Sequence, residues 1–119
     1  MFIKIENGGD QEPEGSDLTE VERREIEEIL VDAYDEYEQA GAWEVAFEDG
    51  IEVPFSASLL GIDVKVTKFR VNDQNIVQCH VVRGEKKRWI GVHDLDDEGL
   101  PADFVHIRSL YRAWSSGRY

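Results

Sequence analysis

The sequence predicts an α+β domain, in which a small antiparallel, barrel-like sheet of four or five strands is covered by an N-terminal and a C-terminal helix. Three observations carry this prediction. In the first third of the chain, apolar residues recur at the three-and-four spacing of a helix face. The middle holds short apolar runs separated by turns, and helical spacing returns after Pro101.

The chain begins with a segment that differs in composition from the rest. Residues 6–17 combine glycine, proline and acids with nothing apolar, so we expect residues 1–17 to be a flexible acidic tail. Residues 1–5 are too short and too quickly followed by acids to be a secretory signal. We expect the remaining residues, 18–119, to form a single domain.

A long amphipathic helix is predicted next. Thr19 and Glu22 have the spacing of a capping box, which satisfies free backbone N–H groups at a helix start. Gly41 is well placed to end the helix. A second, shorter helical turn is predicted over residues 42–48.

Apolar runs bounded by turn residues follow and predict strands. Residues 51–53 lead through Pro54 into the run 55–60, and further runs span residues 64–71, 76–82 and 88–92. The last two flank Arg83 to Lys86 and are predicted to form a hairpin. From Ala102 to Trp114 the apolar spacing favours a helix over a short strand.

The aromatic residues are expected to pack in the core and not to form a binding platform. They include Trp43, Trp89, Trp114, Phe47, Phe55, Phe69 and Tyr111.

The charge of the protein is strongly negative and unevenly distributed. The net charge is −13; residues 1–60 hold 18 acids against 3 basic residues, and residues 61–119 hold 8 against 10. Such a charge disfavours nucleic acid and anionic membranes and favours cations or basic protein surfaces. No apolar run approaches the roughly 20 residues that span a bilayer. With the single Cys79, we expect a soluble, cytoplasmic protein and a monomer.

Carboxylates crowd the predicted end of the long helix. Exposed acids there repel one another and the negative end of the helix dipole by about 0.3–1 kcal/mol each, so a cation would relieve them. Asp35 and Glu38 are three residues apart and share one side of the helix beside free carbonyl groups, which suits a hard cation. Glu48 is a candidate further ligand. A solvated face in an acidic protein explains the same run without metal.

A second acidic run is HDLDDEG, from His93 to Gly99. Counted from Asp94, acids and glycine match the first half of an EF-hand loop, but Val105 stands where the bidentate glutamate is needed. Asp94, Asp96 and Asp97 are therefore expected to supply about half of a calcium shell and to borrow the rest from the acidic first half. A plain charged turn is the alternative. The sequence leaves open whether the two acidic groups form one site or two.

Other chemistry has little support in the sequence. Zinc prefers cysteine and histidine ligands, whereas Cys79 and His80 are strand neighbours that point to opposite faces. His93 and His106 are expected to be surface or packing residues. No catalytic motif is present, so we expect a protein that is not an enzyme. Residues 86–88 are too short a basic run for nucleic acid.

Several short motifs together resemble a known family. They are the acidic helix, Trp43, Phe47 to Gly50, Pro54 to Ala57, Gly61, and the strands that end in Leu95-Asp96. In this arrangement residues 18–114 resemble the CcbP family of small acidic cyanobacterial calcium-binding proteins and its bacterial relatives.

The resemblance implies a non-EF-hand protein that binds calcium reversibly in the cytoplasm. It also implies a buffer whose removal lets free calcium rise during heterocyst differentiation. No motif fixes the ligands of the family one by one, so the ligand assignment rests on charge and spacing.

We therefore expect calcium binding at one or two sites made of clustered carboxylates. The candidate ligands are Asp35, Glu38, Glu48, Asp94, Asp96 and Asp97. The alternative is an acidic interaction module that binds a basic partner protein without any metal.

Overall fold

A computed structural model describes residues 18–117 as three α-helices and a four-stranded antiparallel sheet. The predicted tail, residues 1–17, and the last two residues lie outside the described residues. Side chains from all the helices and strands form one hydrophobic cluster or pack against it. Among the described residues, no helix has both the length and the apolar character needed to cross a membrane.

The N-terminal helical region consists of two helices, α1 (Glu20–Ile29) and α2 (Glu36–Gly50). The prediction of one long helix ending at Gly41 is wrong, because Gly41 lies inside α2. The chain breaks where Asp35 caps a new helix, its side chain accepting a hydrogen bond from the backbone N–H of Glu38.

Two further predictions for the helices are confirmed. Thr19 and Glu22 form the predicted capping box, each side chain accepting a hydrogen bond from the backbone N–H of the other. The C-terminal helix, α3 (Ala102–Ser115), is also confirmed. His106 on α3 lies 3.0 Å from the Glu25 carboxylate and ties α3 to α1.

The sheet contains β1 (Phe55–Leu59), β2 (Ile62–Val71), β3 (Val77–Arg83) and β4 (Lys86–Gly91). The strands follow one another in that order, each antiparallel to the next. The predicted α+β class, the strand number and the hairpin are confirmed. The sheet is open and not barrel-like, because β1 and β4 are its edges and do not pair.

The inner face of the sheet packs against α2 and α3 through aromatic rings. The Phe47 ring is 5.3 Å from that of Phe69 and 5.7 Å from that of Tyr111, and all three are buried. The predicted core role is thus confirmed for these residues. Trp89 differs, because it lies on the outer face with the Arg70 guanidinium 4.2 Å from its ring centre.

Candidate metal centre

The start of α2 holds the first predicted ligand pair, Asp35 and Glu38. Asp35 Oδ1 accepts a hydrogen bond from the Glu38 backbone N–H at 2.8 Å, and Glu38 Oε1 accepts one from the Tyr34 N–H at 2.8 Å. Within residues 18–117, the second oxygen of each carboxylate makes no hydrogen bond. The pair therefore caps a helix start, and the predicted position at a helix end is wrong.

This position reverses the sign of the helix-dipole effect. Carboxylates at an N-terminus are stabilised by the partial positive charge of the free N–H groups, whereas at a C-terminus they are repelled. A cation bound here meets the positive end of α2. Its attraction must therefore come from the carboxylates themselves and not from helix carbonyl groups.

Glu38 also lines a groove of about 450 Å³ between α2 and the β2–β3 turn. Glu38, Gly41 and Glu44 line the α2 side at three-residue spacing, and Asp73 and its neighbours in the β2–β3 turn line the other side. Glu44 and Asp73 line this groove, and neither was among the candidate ligands predicted from the sequence. The three-residue stripe on α2 was readable in the sequence, but the turn reaches it only through the tertiary fold.

Glu48 lies apart from this groove, in the last turn of α2. It is ten residues beyond Glu38, which corresponds to about 15 Å along a helix. Burial, followed by repulsion from Glu44 and Asp49, raises the pKa of Glu48 above its ordinary value. The charged form of Glu48 is therefore disfavoured, and a nearby cation would relieve that cost.

Asp96 connects the second acidic run to the β1–β2 turn. Its Oδ1 accepts a hydrogen bond from the Leu60 N–H at 3.1 Å, and its Oδ2 accepts one from the Gly61 N–H at 2.8 Å. Its own N–H donates to the Ser58 carbonyl at 2.9 Å. Both oxygens of the carboxylate thus already serve as anchors within the fold.

Asp97 and Asp94 also bind groups of the protein. The guanidinium of Arg108, which is only 5% exposed, lies 2.7 Å from Asp97 Oδ1, while the Asp97 side chain itself is 82% exposed. Asp94 Oδ2 accepts a hydrogen bond from the Gly91 N–H at 3.1 Å. Each of these two carboxylates keeps its other oxygen free of hydrogen bonds to the described residues.

The two acidic groups lie at opposite ends of β2. Asp96 is bonded to the β1–β2 turn, whereas Glu38 faces the β2–β3 turn. A strand of 10 residues separates these turns by roughly 30 Å. Across residues 18–117, no three His, Cys, Asp or Glu side chains are grouped closely enough to hold a metal ion. Each group would therefore bind an ion by gathering side chains around it.

Cys79 is buried in the core, and His93 packs on an aromatic ring. Burial, followed by repulsion from Asp94, raises the pKa of Cys79 to about 12, so that it stays a neutral thiol at ordinary pH. The His93 ring stacks on Tyr111 with 5.4 Å between ring centres. Partial burial, followed by the positive Arg112, lowers the pKa of His93. Both side chains pack, and neither offers an activated nucleophile.

Comparison with known proteins identifies the relatives of this chain. The family model Calci_bind_CcbP, described as calcium binding, matches residues 23–93, which is more than half of the chain. No curated protein matches significantly.

Two solved structures share the fold. The crystal structure of Anabaena CcbP has a TM-score of 0.72 at 21% identity, covering 84% of this chain and 93% of that chain. A calcium-binding protein in its calcium-binding form has a TM-score of 0.72 at 19% identity, covering 91% and 98%. The resemblance noted in the sequence is thereby confirmed, and the chain belongs to the CcbP family of calcium-binding proteins.

Proposed function

We propose that this protein reversibly binds Ca²⁺ through exposed carboxylates at two separate places, and so buffers the free ion in the cytoplasm. Membership of a calcium-binding family supports the choice of ion. The observation that carries the proposal is the charge of α2, which holds five acids and no basic residue. The ion pairs among residues 18–117 use Glu20, Glu25 and Asp97, so none of them neutralises α2.

The first site is the groove between α2 and the β2–β3 turn. Glu38, Glu44 and Asp73 supply carboxylates from both sides of it, with Asp35 at its edge. Calcium takes about six to eight oxygens in a flexible geometry, so carboxylates together with water can complete its shell in an open groove. Magnesium requires a smaller octahedral shell and gives up water reluctantly, which favours calcium here.

The second site is the acidic run that follows β4. Asp94 and Asp97 each offer a free oxygen, and Asp96 can share an oxygen that already accepts a backbone hydrogen bond. An ion here competes with Arg108 for Asp97, so we propose that this site is the weaker of the two.

Glu48 contributes a third, smaller concentration of charge at the end of α2. Its raised pKa, due to burial and then to Glu44 and Asp49, indicates repulsion that a cation would reduce. Because Glu44 lies between Glu38 and Glu48 on the helix, we propose that Glu48 strengthens the field at the first site. Direct ligation by Glu48 would require a further ion, separate from those at the two proposed sites.

A buffering role fits the way these carboxylates are built into the protein. Asp35 caps a helix, Asp96 holds a turn and Asp97 pairs with a buried arginine, so calcium binding would draw on carboxylates that already make local contacts. We propose a monomer that is not an enzyme. The role in heterocyst differentiation that the resemblance implies would follow from removal of this buffer and the resulting rise in free calcium.

An acidic interaction module remains the second candidate, and one observation favours it. Tyr34 and Tyr37 flank the acids at the start of α2 and are 83% and 78% exposed. Exposed aromatic rings among carboxylates suit a basic partner, because they supply contact area and cation–π attraction as well as charge.

A calcium titration by calorimetry in excess Mg²⁺ separates the two candidates. We expect saturable calcium binding in the wild-type chain, and a loss of about tenfold or more in affinity at the tighter site for Glu38→Gln. Glu20→Gln is the matched control, since it removes the same charge from an exposed pair with Arg24 on α1. Absence of calcium heat, together with binding of a basic peptide at low salt, would favour the interaction module.

A further inference from the structure

An apolar groove of about 250 Å³ lies at one end of the sheet, beside the β1–β2 turn. Val64 and Val81 are buried at its base, on the inner face of β2 and β3. Ile62 and Leu60 stand at its mouth and are 49% and 86% exposed. Every described residue that lines it comes from a strand or a turn, so the described helices leave this part of the inner face uncovered.

The rim of this groove is basic, although the protein as a whole carries a net charge of −13. Arg83, Lys86, Lys87 and Arg88 all line it. None of the four forms an ion pair with another residue of the described range 18–117, and Arg83 donates to the backbone carbonyl of Asp63. An occupant that matches this surface needs apolar side chains joined to a run of acids.

We propose that residues 1–17 of this same chain dock in the groove. The segment opens with the apolar residues Phe2, Ile3 and Ile5, which suit the apolar base. It continues with Glu6, Asp10, Glu12, Glu14 and Asp17 against the single cation Lys4, which suits the basic rim. Burial of the apolar residues would also cover the exposed Leu60 and Ile62.

The reach and the effective concentration of this tethered segment both support docking. From Ile5 to Leu18 the chain spans up to about 45 Å when extended, which exceeds two of the three principal dimensions of the molecule, 61 × 35 × 22 Å. A tethered segment has an effective concentration near 1 mM, so an intrinsic Kd of about 0.1 mM makes the docked state about tenfold more populated than the free state. An anionic membrane is a poorer occupant, because it is repelled by the net charge.

The test uses the full chain in the presence of a calcium chelator, so that it does not depend on calcium binding. Methyl NMR shifts of Ile62, Val64 and Val81 report the state of the groove. In one variant Phe2, Ile3 and Ile5 are all replaced by serine; in another, Lys86→Glu is combined with Arg88→Glu. Val31→Ser, an exposed apolar site 66% exposed on the α1–α2 connection, is the matched control.

We expect both groove variants to move the three methyl signals towards common positions while the control leaves them in place. Added peptide of residues 1–17 should restore the original positions in the triple-serine variant, with saturation. If the three methyl signals change neither on the triple replacement nor on addition of the peptide, the proposal is overturned. Shifts that depend on protein concentration would overturn it in favour of a second copy of the chain as the occupant.

Discussion

Replacing Asp96 by alanine should destabilise the protein, although Asp96 is a surface carboxylate in a loop. The change removes the acceptors of the Leu60 and Gly61 N–H groups, at 3.1 and 2.8 Å. These residues form the two-residue turn between β1 and β2, with φ of 53° and 79°. A left-handed conformation is unfavourable for leucine by roughly 1–2 kcal/mol, so the turn depends on this anchor.

The magnitude follows from the two hydrogen bonds to a charged acceptor. Such bonds contribute about 1.5–3 kcal/mol each when protected, and water replaces part of that at an exposed turn. We therefore expect Asp96→Ala to lower the free energy of unfolding by about 2–3 kcal/mol.

Urea unfolding followed by circular dichroism, in the presence of a calcium chelator, measures this loss. Glu85→Ala is the matched control, because Glu85 is an exposed acid in the β3–β4 turn and makes no hydrogen bond or ion pair with a described residue. A difference between the two variants below about 0.5 kcal/mol would refute the anchoring role of Asp96.

Three further changes test other parts of the structure. Partial burial, then the positive Arg112, lowers the pKa of His93 below its ordinary 6.5. The unfolded chain therefore takes up the proton first, and the free energy of unfolding falls as the pH drops below 6.5. His93→Gln should reduce this dependence of the free energy of unfolding on pH, measured by urea unfolding between about pH 7 and 5. Burial, then repulsion from Glu44, raises the pKa of Glu48 above its ordinary 4.5. The contribution of Glu48 to stability therefore falls as the pH rises through 4.5. In the absence of calcium, Glu48→Gln should raise the melting temperature at neutral pH but leave it unchanged well below pH 4.5. Gly41→Ala should raise the free energy of unfolding by about 0.5–1 kcal/mol, because alanine favours the helix and an added Cβ in the middle of α2 meets nothing within 4 Å. A lower free energy of unfolding, measured with urea, would mean that the glycine itself is needed.

Local patterns in the sequence were enough to predict most of the fold. Strand alternation and turn residues gave the four strands, and the capping box at Thr19 gave the start of α1. The break between α1 and α2 was missed because apolar spacing continues through Tyr34 and Tyr37, which the fold leaves exposed. Asp35 and Glu38 carry the spacing of a second helix start, and that signal outweighs the periodicity.

The geometry of the candidate sites depends on contacts that no local pattern contains. The pairing of Asp97 with Arg108 requires α3 to return beside the acidic run, and the groove at Glu38 requires the β2–β3 turn to pack against α2. Charge and spacing could indicate which acids are crowded. They could not indicate that Asp73 faces Glu38, or that Asp96 would be held by two backbone amides.

The most direct test of calcium binding at two separate places is an amide NMR titration of the full chain with Ca²⁺ in excess Mg²⁺. We expect one set of signals around Glu38, Glu44 and Asp73, and a second around Asp94 to Asp97, to shift and saturate at different calcium concentrations. Shifts that grow only with ionic strength, or that Mg²⁺ alone produces equally, would contradict calcium binding at these carboxylates.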